Sequence, residues 1–413
     1  MKRTLFGLLV LTVSLLPAAD KPTESNWLQW GGPSQDFRAT ATGLADAWPE
    51  SGPKELWSRS LGDGYSGILY EAGKIYTMYR TGDNEVVLCA NAKSGETIWE
   101  HAYASAPRDG HVTQFGIGPR STPLIDGDRV YTIGIAGVMH ALEKKTGKAI
   151  WSKDLWSEPF NGNFLNHGYS SSPIAYGDTI IALVGGEGTS VVAFDKDDGS
   201  VAWKNQSFGN SYSTPRIFTI DGEEQLITFM ASEVVGLDPK NGDLKWRIPH
   251  ENTWKQNVSM PVLSNDNVLF ISAVEAGAKG IRLSVKDGKS TAEEAWSTRK
   301  IQFYHVTSVQ DGDWVYGSTG MRTPAFMAAV NISTGEIGWR KRGYAKANVI
   351  AADGRLFVLD EDGVLSMTTA TPEDLTMQAQ TSLFDGVSWT VPTIIGATMY
   401  VRDQQKMVAL SLK

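Results

Sequence analysis

The sequence has a single cysteine, Cys89, in 413 residues. No intramolecular disulfide can form, even in an oxidising compartment. Histidine is also scarce: there are six, with no His-x-x-x-His or comparable metal spacing. Asp109 and His111 stand close, but one short pair is not a site. A long basic run is missing and the formal charge is -8, which argues against a general nucleic-acid binder. No long segment shows a helical apolar period. No Gly-rich segment matches a phosphate loop, and Gly185-Gly186-Glu187-Gly188 reads as a hairpin between two strands. Past the first 19 residues, no apolar run is long enough to span a bilayer.

What is present is a repeat. Ala193-Phe194-Asp195 leads to Gly199 and Trp203. Cys89-Ala90-Asn91 leads to Gly95 and Trp99, and Ala141-Leu142-Glu143 to Gly147 and Trp151. Gly236-Leu237-Asp238 leads to Gly242 and Trp246, and Ala329-Val330-Asn331 to Gly335 and Trp339. The spacing holds in all five copies, so the chain is built of structural units. The Gly permits a positive φ in a turn between strands. The preceding Asp, Glu or Asn can bond turn amides. The Trp can lay an apolar plate across the neighbouring unit, where its indole N–H needs an acceptor. Cys89 fills the slot that Ala141, Ala193 and Ala329 fill elsewhere, and so reads as a buried structural residue.

In chain order, Met1 to about Ala19 reads as a secretory signal: Lys2 and Arg3, an apolar run from Leu5 to Leu16, then Pro17-Ala18-Ala19. Losing Lys2 and Arg3 takes the formal charge from -8 to -10. No cysteine stands at the exit, so a lipid anchor is not expected, and the mature chain is expected to be periplasmic or extracellular. Residues 20–53 form an irregular lead-in expected to lie over the surface of the domain at 54–413. Eight units follow, each predicted to have about four antiparallel strands divided by Asp-Gly turns such as Asp126-Gly127, Asp221-Gly222, Asp311-Gly312 and Asp353-Gly354. Unit five lacks the Gly–Trp spacing and unit seven lacks the closing Trp. Unit eight stops at Ala409-Leu410-Ser411, without its turn and outer strand. The strand Lys54-Glu55-Leu56-Trp57 supplies the missing piece and closes the ring. The chain therefore reads as an all-β, eight-bladed β-propeller, with seven blades as the alternative count should unit five or seven be irregular. Length alone would argue for two or three domains, but a closed array can be one.

The frame Ala-x-Asp-x-x-x-Gly-x-x-x-Trp, preceded by Ser-Thr-Pro, an Asp-Gly turn and a Val-Tyr strand, resembles the pyrroloquinoline-quinone (PQQ)-type propeller repeat. Trp27-Leu28-Gln29-Trp30-Gly31-Gly32-Pro33, followed by Gly52-Pro53-Lys54-Glu55-Leu56-Trp57, is similar to its BamB-like secreted branch. The resemblance implies one of two function classes. The first is a non-enzymatic binding or scaffold propeller with an envelope protein or peptide partner and no cofactor. The second is a quinoprotein dehydrogenase of alcohols or sugars, holding PQQ and calcium in the funnel, with Arg120, His305 or Lys346 near the quinone. The adjacent-cysteine disulfide of many such dehydrogenases is impossible here. The Glu, Asn and Asp calcium ligands of that branch do not map residue by residue onto this chain, whose acidic residues sit mostly in turns such as Asp195, Asp197, Asp198 and Asp238, and no metal site is expected.

The candidate surface is where the innermost strands enter the funnel. Three residues before each Ser-Thr-Pro-type proline or its equivalent stand Tyr65, Arg120, Ser170, Tyr212, Val258, His305, Lys346 and Trp389, with Tyr169, Asn257 and Tyr304 beside them. The candidate ring taken from these is Tyr65, Arg120, Tyr169, Tyr212, Asn257, His305, Lys346 and Trp389. It suits a planar or anionic ligand or an extended peptide, or simply walls a water-filled channel. Loops 103–119 and 155–168, with Phe115, Phe160 and Phe164, are candidate partner contacts. Trp57, Trp99, Trp151, Trp203, Trp246, Trp296 and Trp339 read as inter-blade packing. Glu187, Arg282, Arg322 and Arg402 read as ordinary loop or strand charges.

Overall fold

The computed structural model describes residues 25–305, 308–320 and 324–413. The expected signal segment and Arg322 lie outside them. Among the described residues the strands group into eight sheets and no helix occurs. Blade 3 shows the plan: Ile174–Tyr176, Thr179–Gly186, Thr189–Asp195 and Val201–Asn205 pair antiparallel in chain order. Its second strand is buried on both faces, Ile180 through Val184 included, because a blade lies on either side of it. The outermost strand is mostly exposed. Blade 5 departs by ending in a long hairpin, Gly277–Lys286 with Lys289–Thr298. Asp287 and Gly288 both have positive φ in its two-residue loop, as such hairpins require.

The circle closes as the sequence requires. Lys54–Ser60 pairs antiparallel with Lys406–Ser411, with Trp57 opposite Ala409, and so forms the outer strand of blade 8. Eight sheets set aside the seven-blade count: units five and seven are both complete blades.

The repeat-end tryptophans other than Trp246 lie on the next blade's turn. A Cβ on Gly147 would fall 2.4 Å from a Trp99 ring carbon, and one on Gly95 2.7 Å from Trp57. The same contact recurs at Gly199 with Trp151, Gly242 with Trp203 and Gly335 with Trp296. The turn glycine is therefore needed twice, for its left-handed φ and for the flat contact. The indole N–H finds its acceptor there too. Trp57, Trp99, Trp151, Trp296 and Trp339 donate to the carbonyls of Ala92, Lys144, Lys196, Ile332 and Thr371. Trp246 meets the atypical blade 5 and turns back to Gln225 of its own blade at 2.7 Å. A tryptophan buries roughly 150–250 Å², worth about 4–6 kcal/mol at ~25 cal/mol per Å².

Two expectations are corrected. The lead-in is not superficial: Trp27, Phe37 and Leu44 are buried, and Arg38–Ala39 adds a fifth, parallel strand to blade 7. Residues 25–53 cross one end of the channel, bonding blade after blade. Trp27 pairs with Tyr70, Leu28 accepts from the Ile125 amide, and Ser34 accepts from Arg216. Phe37 accepts from the Ala351 amide, and Ala45 donates to Leu412. Nor is Arg402 an ordinary charge. It is 0% exposed and donates to the carbonyls of Met78 and Gly64, each at 2.8 Å, tying blade 8 to blade 1.

Candidate funnel site

The inner strands start at one level around the axis because serine and threonine side chains link them. The Gly67 amide donates to Thr122 Oγ1 at 2.9 Å, the Thr122 amide to Ser172 Oγ at 2.9 Å, and the Ser172 amide to Thr214 Oγ1 at 3.0 Å. Across the closure, Thr390 Oγ1 donates to the Tyr65 carbonyl at 3.0 Å. The Ser-Thr-Pro element is thus a belt: its hydroxyls bond the neighbouring inner strand, and its proline needs no donor partner there.

Above this belt is a cavity of about 390 Å³. It is lined by six of the eight residues of the expected ring: Tyr65, Arg120, Tyr212, His305, Lys346 and Trp389. Tyr169 and Asn257 are not in the lining. Each is fully buried, the Tyr169 hydroxyl donating to the Leu183 carbonyl at 2.7 Å and Asn257 Nδ2 to the Met230 carbonyl at 2.6 Å. Successive residues of an extended segment point to opposite sides, so their neighbours Ser170 and Val258 face the cavity instead. The register of three before the proline holds in all eight blades, whereas moving one residue off it fails at Tyr169 and Asn257. Tyr304 also lines the cavity.

The rest of the lining comes from segments outside the repeat. The loops entering blades 2, 3 and 5 bring Gln114 and Phe115, His167, and Trp254 and Gln256. Trp30 comes from the lead-in and forms the floor, a Cβ on Gly67 meeting its ring at 3.3 Å. The Trp27–Pro33 motif was visible in the sequence, but nothing local says that it lies under the funnel. Of the three loop phenylalanines, Phe115 faces the cavity and Phe164 is exposed against His111. Phe160 is buried edge-on to Phe194, a core residue rather than a contact.

Trp389 is the hub. Its ring lies 5.1 Å from Tyr65, 5.4 Å from Phe115 and 5.2 Å from a nearly parallel His305. Lys346 Nζ sits 5.1 Å over it and pairs with Glu361 at 2.6 Å. Arg120 lies over Tyr65 at 5.5 Å. Burial, and then the nearby Lys346 and Arg120 charges, push the His305 imidazole down to about 3, so it is neutral at pH 7. Burial pushes the Tyr65 phenol up to about 12. None of the described lining residues is Asp or Glu. Calcium takes several oxygens with carboxylates among them, so this donor set does not fit it. Among the described residues, no group of three or more His, Cys, Asp or Glu could hold a metal ion.

A ring of eight blades, seven of four strands and one of five, around an aromatic, cationic funnel defines a PQQ-type repeat propeller. The chain belongs to the family described as outer membrane protein assembly factor BamB, whose model matches residues 82–329. It is 24% identical over 299 residues to the BamB of Yersinia pestis, covering 68% of this chain and 71% of that one. Among solved structures, BamB from Moraxella catarrhalis aligns with a TM-score of 0.58 at 18% identity, covering 87% of this chain and 97% of that one. The quinohemoprotein alcohol dehydrogenase of Comamonas testosteroni aligns with a TM-score of 0.64 at 12% identity, covering 94% of this chain and 80% of that one. At such identities the structural likenesses speak for the fold alone.

Proposed function

We propose that this chain is a non-enzymatic binding or scaffold propeller of the cell envelope, exported and acting on the periplasmic side, with an envelope protein or peptide as its partner. The observation that carries the reading is the chemistry of the funnel wall. It offers aromatic faces, two cations and neutral imidazoles, with no carboxylate among its described residues to ligate calcium or to act as a base. Family membership supports the same direction, since the relatives' name describes an assembly factor rather than a catalyst.

The competing reading is a quinone-dependent dehydrogenase, whose fold this chain shares. Purified protein supplied with PQQ and calcium is tested for saturable quinone binding and for dye reduction with alcohols and sugars. The expected result is no turnover. Calcium-dependent quinone binding with turnover would reject the binding reading.

A further inference from the structure

The funnel's charge is unbalanced at one point. Among the described residues Arg120 makes one hydrogen bond, from Nη2 to the Gly116 carbonyl at 3.1 Å, and its Nε is buried with no acceptor. Among the described residues no carboxylate forms an ion pair with it. Asp63 acts on it only through space, because the Asp63 oxygens already accept from the amides of Ile117 and Gly118 and from Gln404. A largely buried guanidinium with no carboxylate bonded to it is unfavourable and calls for an anion. The funnel's other cation is already balanced, Lys346 being held by Glu361. The imidazoles add no charge near neutral pH, since burial lowers both His305 and His167. One positive charge therefore remains.

The surface around it is aromatic. The phenol hydroxyls of Tyr65, Tyr212 and Tyr304 bond the Phe115 carbonyl, Asn166 and Gln256, so these rings present carbon to the cavity. The cavity volume of about 390 Å³ lies at the lower end of small-molecule sites. Trp30 closes one end and the loops of Phe115 and Trp254 border the other.

We propose that the funnel binds a small planar aromatic acid bearing one carboxylate, its charge answered by Arg120 and its ring by Tyr65, Phe115 and Trp389. A sugar would need hydrogen-bonding groups all round it, and beyond Gln114 and Ser170 the wall beside Arg120 is mostly ring carbon. A polyanion would need more than one unbalanced cation. The proposal rests on the reading of the chain as a binding propeller and names the ligand class of its funnel.

The test is calorimetric titration of the full chain with three probes: naphthalene-2-carboxylate, its uncharged carboxamide and cyclohexanecarboxylate. The carboxylate binds saturably. The carboxamide binds at least about tenfold more weakly, the scale of one charge-assisted hydrogen bond, and the non-aromatic acid, which keeps the charge but loses the ring contacts, also binds more weakly. Arg120→Gln weakens naphthalene-2-carboxylate binding by a similar factor and Arg120→Lys by less, because a point charge keeps attraction without the guanidinium fork. Equal affinity for acid and amide, or no binding of the acid, overturns the proposal. The probe comparison uses the unaltered protein and so stands even if the Arg120 variants fold poorly. Failure of all three probes without quinone turnover removes this ligand class and leaves the scaffold reading intact; quinone turnover removes both.

Discussion

Arg402 stands in a strand slot that blades 1 to 4 and 7 fill with apolar side chains and blades 5 and 6 with Ser272 and Ser318. Opposite the third strand, Met78, Ile133, Leu183 and Phe229 occupy the equivalent position in blades 1 to 4. In blade 8 the slot holds a guanidinium with 0% exposure. Burial lowers its pKa to about 10, so it stays charged at neutral pH. Its hydrogens cover the carbonyls of Met78 and Gly64 in blade 1, where the two ends of the array meet. Aligning the repeats exposes this outlier, whereas its place at a strand end makes it look ordinary. Arg402→Met keeps the length and removes the donors, leaving two buried carbonyls unpaired at about 1–3 kcal/mol each. The expected loss is about 3 kcal/mol in urea unfolding. Arg282→Met serves as the control: Arg282 is half exposed and 3.9 Å from Asp266, so the change stays below about 0.5 kcal/mol. Equal shifts for the two variants would show that the blade-closing contact contributes nothing.

At the scale of elements, the Gly–Trp spacing made the fold legible, but only half its meaning. From sequence, the glycine serves a turn with positive φ; in the structure it is also the floor on which the previous blade's indole lies. Gly147 and Gly127 separate these roles. Both are left-handed, at φ 73 and 57, but a Cβ on Gly127 meets open space while one on Gly147 meets Trp99 at 2.4 Å. Gly127→Ala carries only the conformational cost, about 1–2 kcal/mol. Gly147→Ala adds displacement of Trp99 and its bond to Lys144, for a total of about 3–4 kcal/mol. Chemical denaturation of the two variants reads the difference, and coincident midpoints would refute the second role. The missing tryptophan of unit seven follows from the same contact. Blade 7 carries Ala379 where a Trp is expected, because the blade it faces has no turn there: its last two strands, Lys406–Ser411 and Lys54–Ser60, come from opposite ends of the chain. The site was legible to the same depth. Positions fixed by the repeat, such as Arg120, His305 and Trp389, follow from counting. Trp30, His167 and Trp254 lie on non-repeating segments whose path depends on long-range packing.

For the whole molecule, the question is what keeps a ring of similar blades from opening. Within a blade, strands adjacent in sequence pair with little loop entropy to overcome, but blade 8 joins residues some 350 positions apart (Glu55 with Leu410). That seam is reinforced three ways: by the Lys54–Ser60 ladder, by the Arg402 contacts, and by the lead-in, whose Ala45 bonds Leu412 after crossing the channel floor. The outer strand also carries Trp57, whose indole covers Gly95 and donates to Ala92 in blade 1. Deleting the chain through Ser60 therefore removes a strand, an inter-blade plate and the floor of the funnel together. It leaves Lys406–Ser411 as an unpaired edge, an apolar strand of the kind that pairs with other chains. Deleting only through residue 24 removes none of these contacts. The longer deletion is expected to sediment as higher oligomers and to lose its sharp thermal transition, while the shorter one stays monodisperse and melts as the undeleted chain does. A monodisperse longer deletion with an unchanged transition would mean that the seven complete blades hold their curvature without the seam, and that the floor under Trp30 is not part of what fixes the funnel.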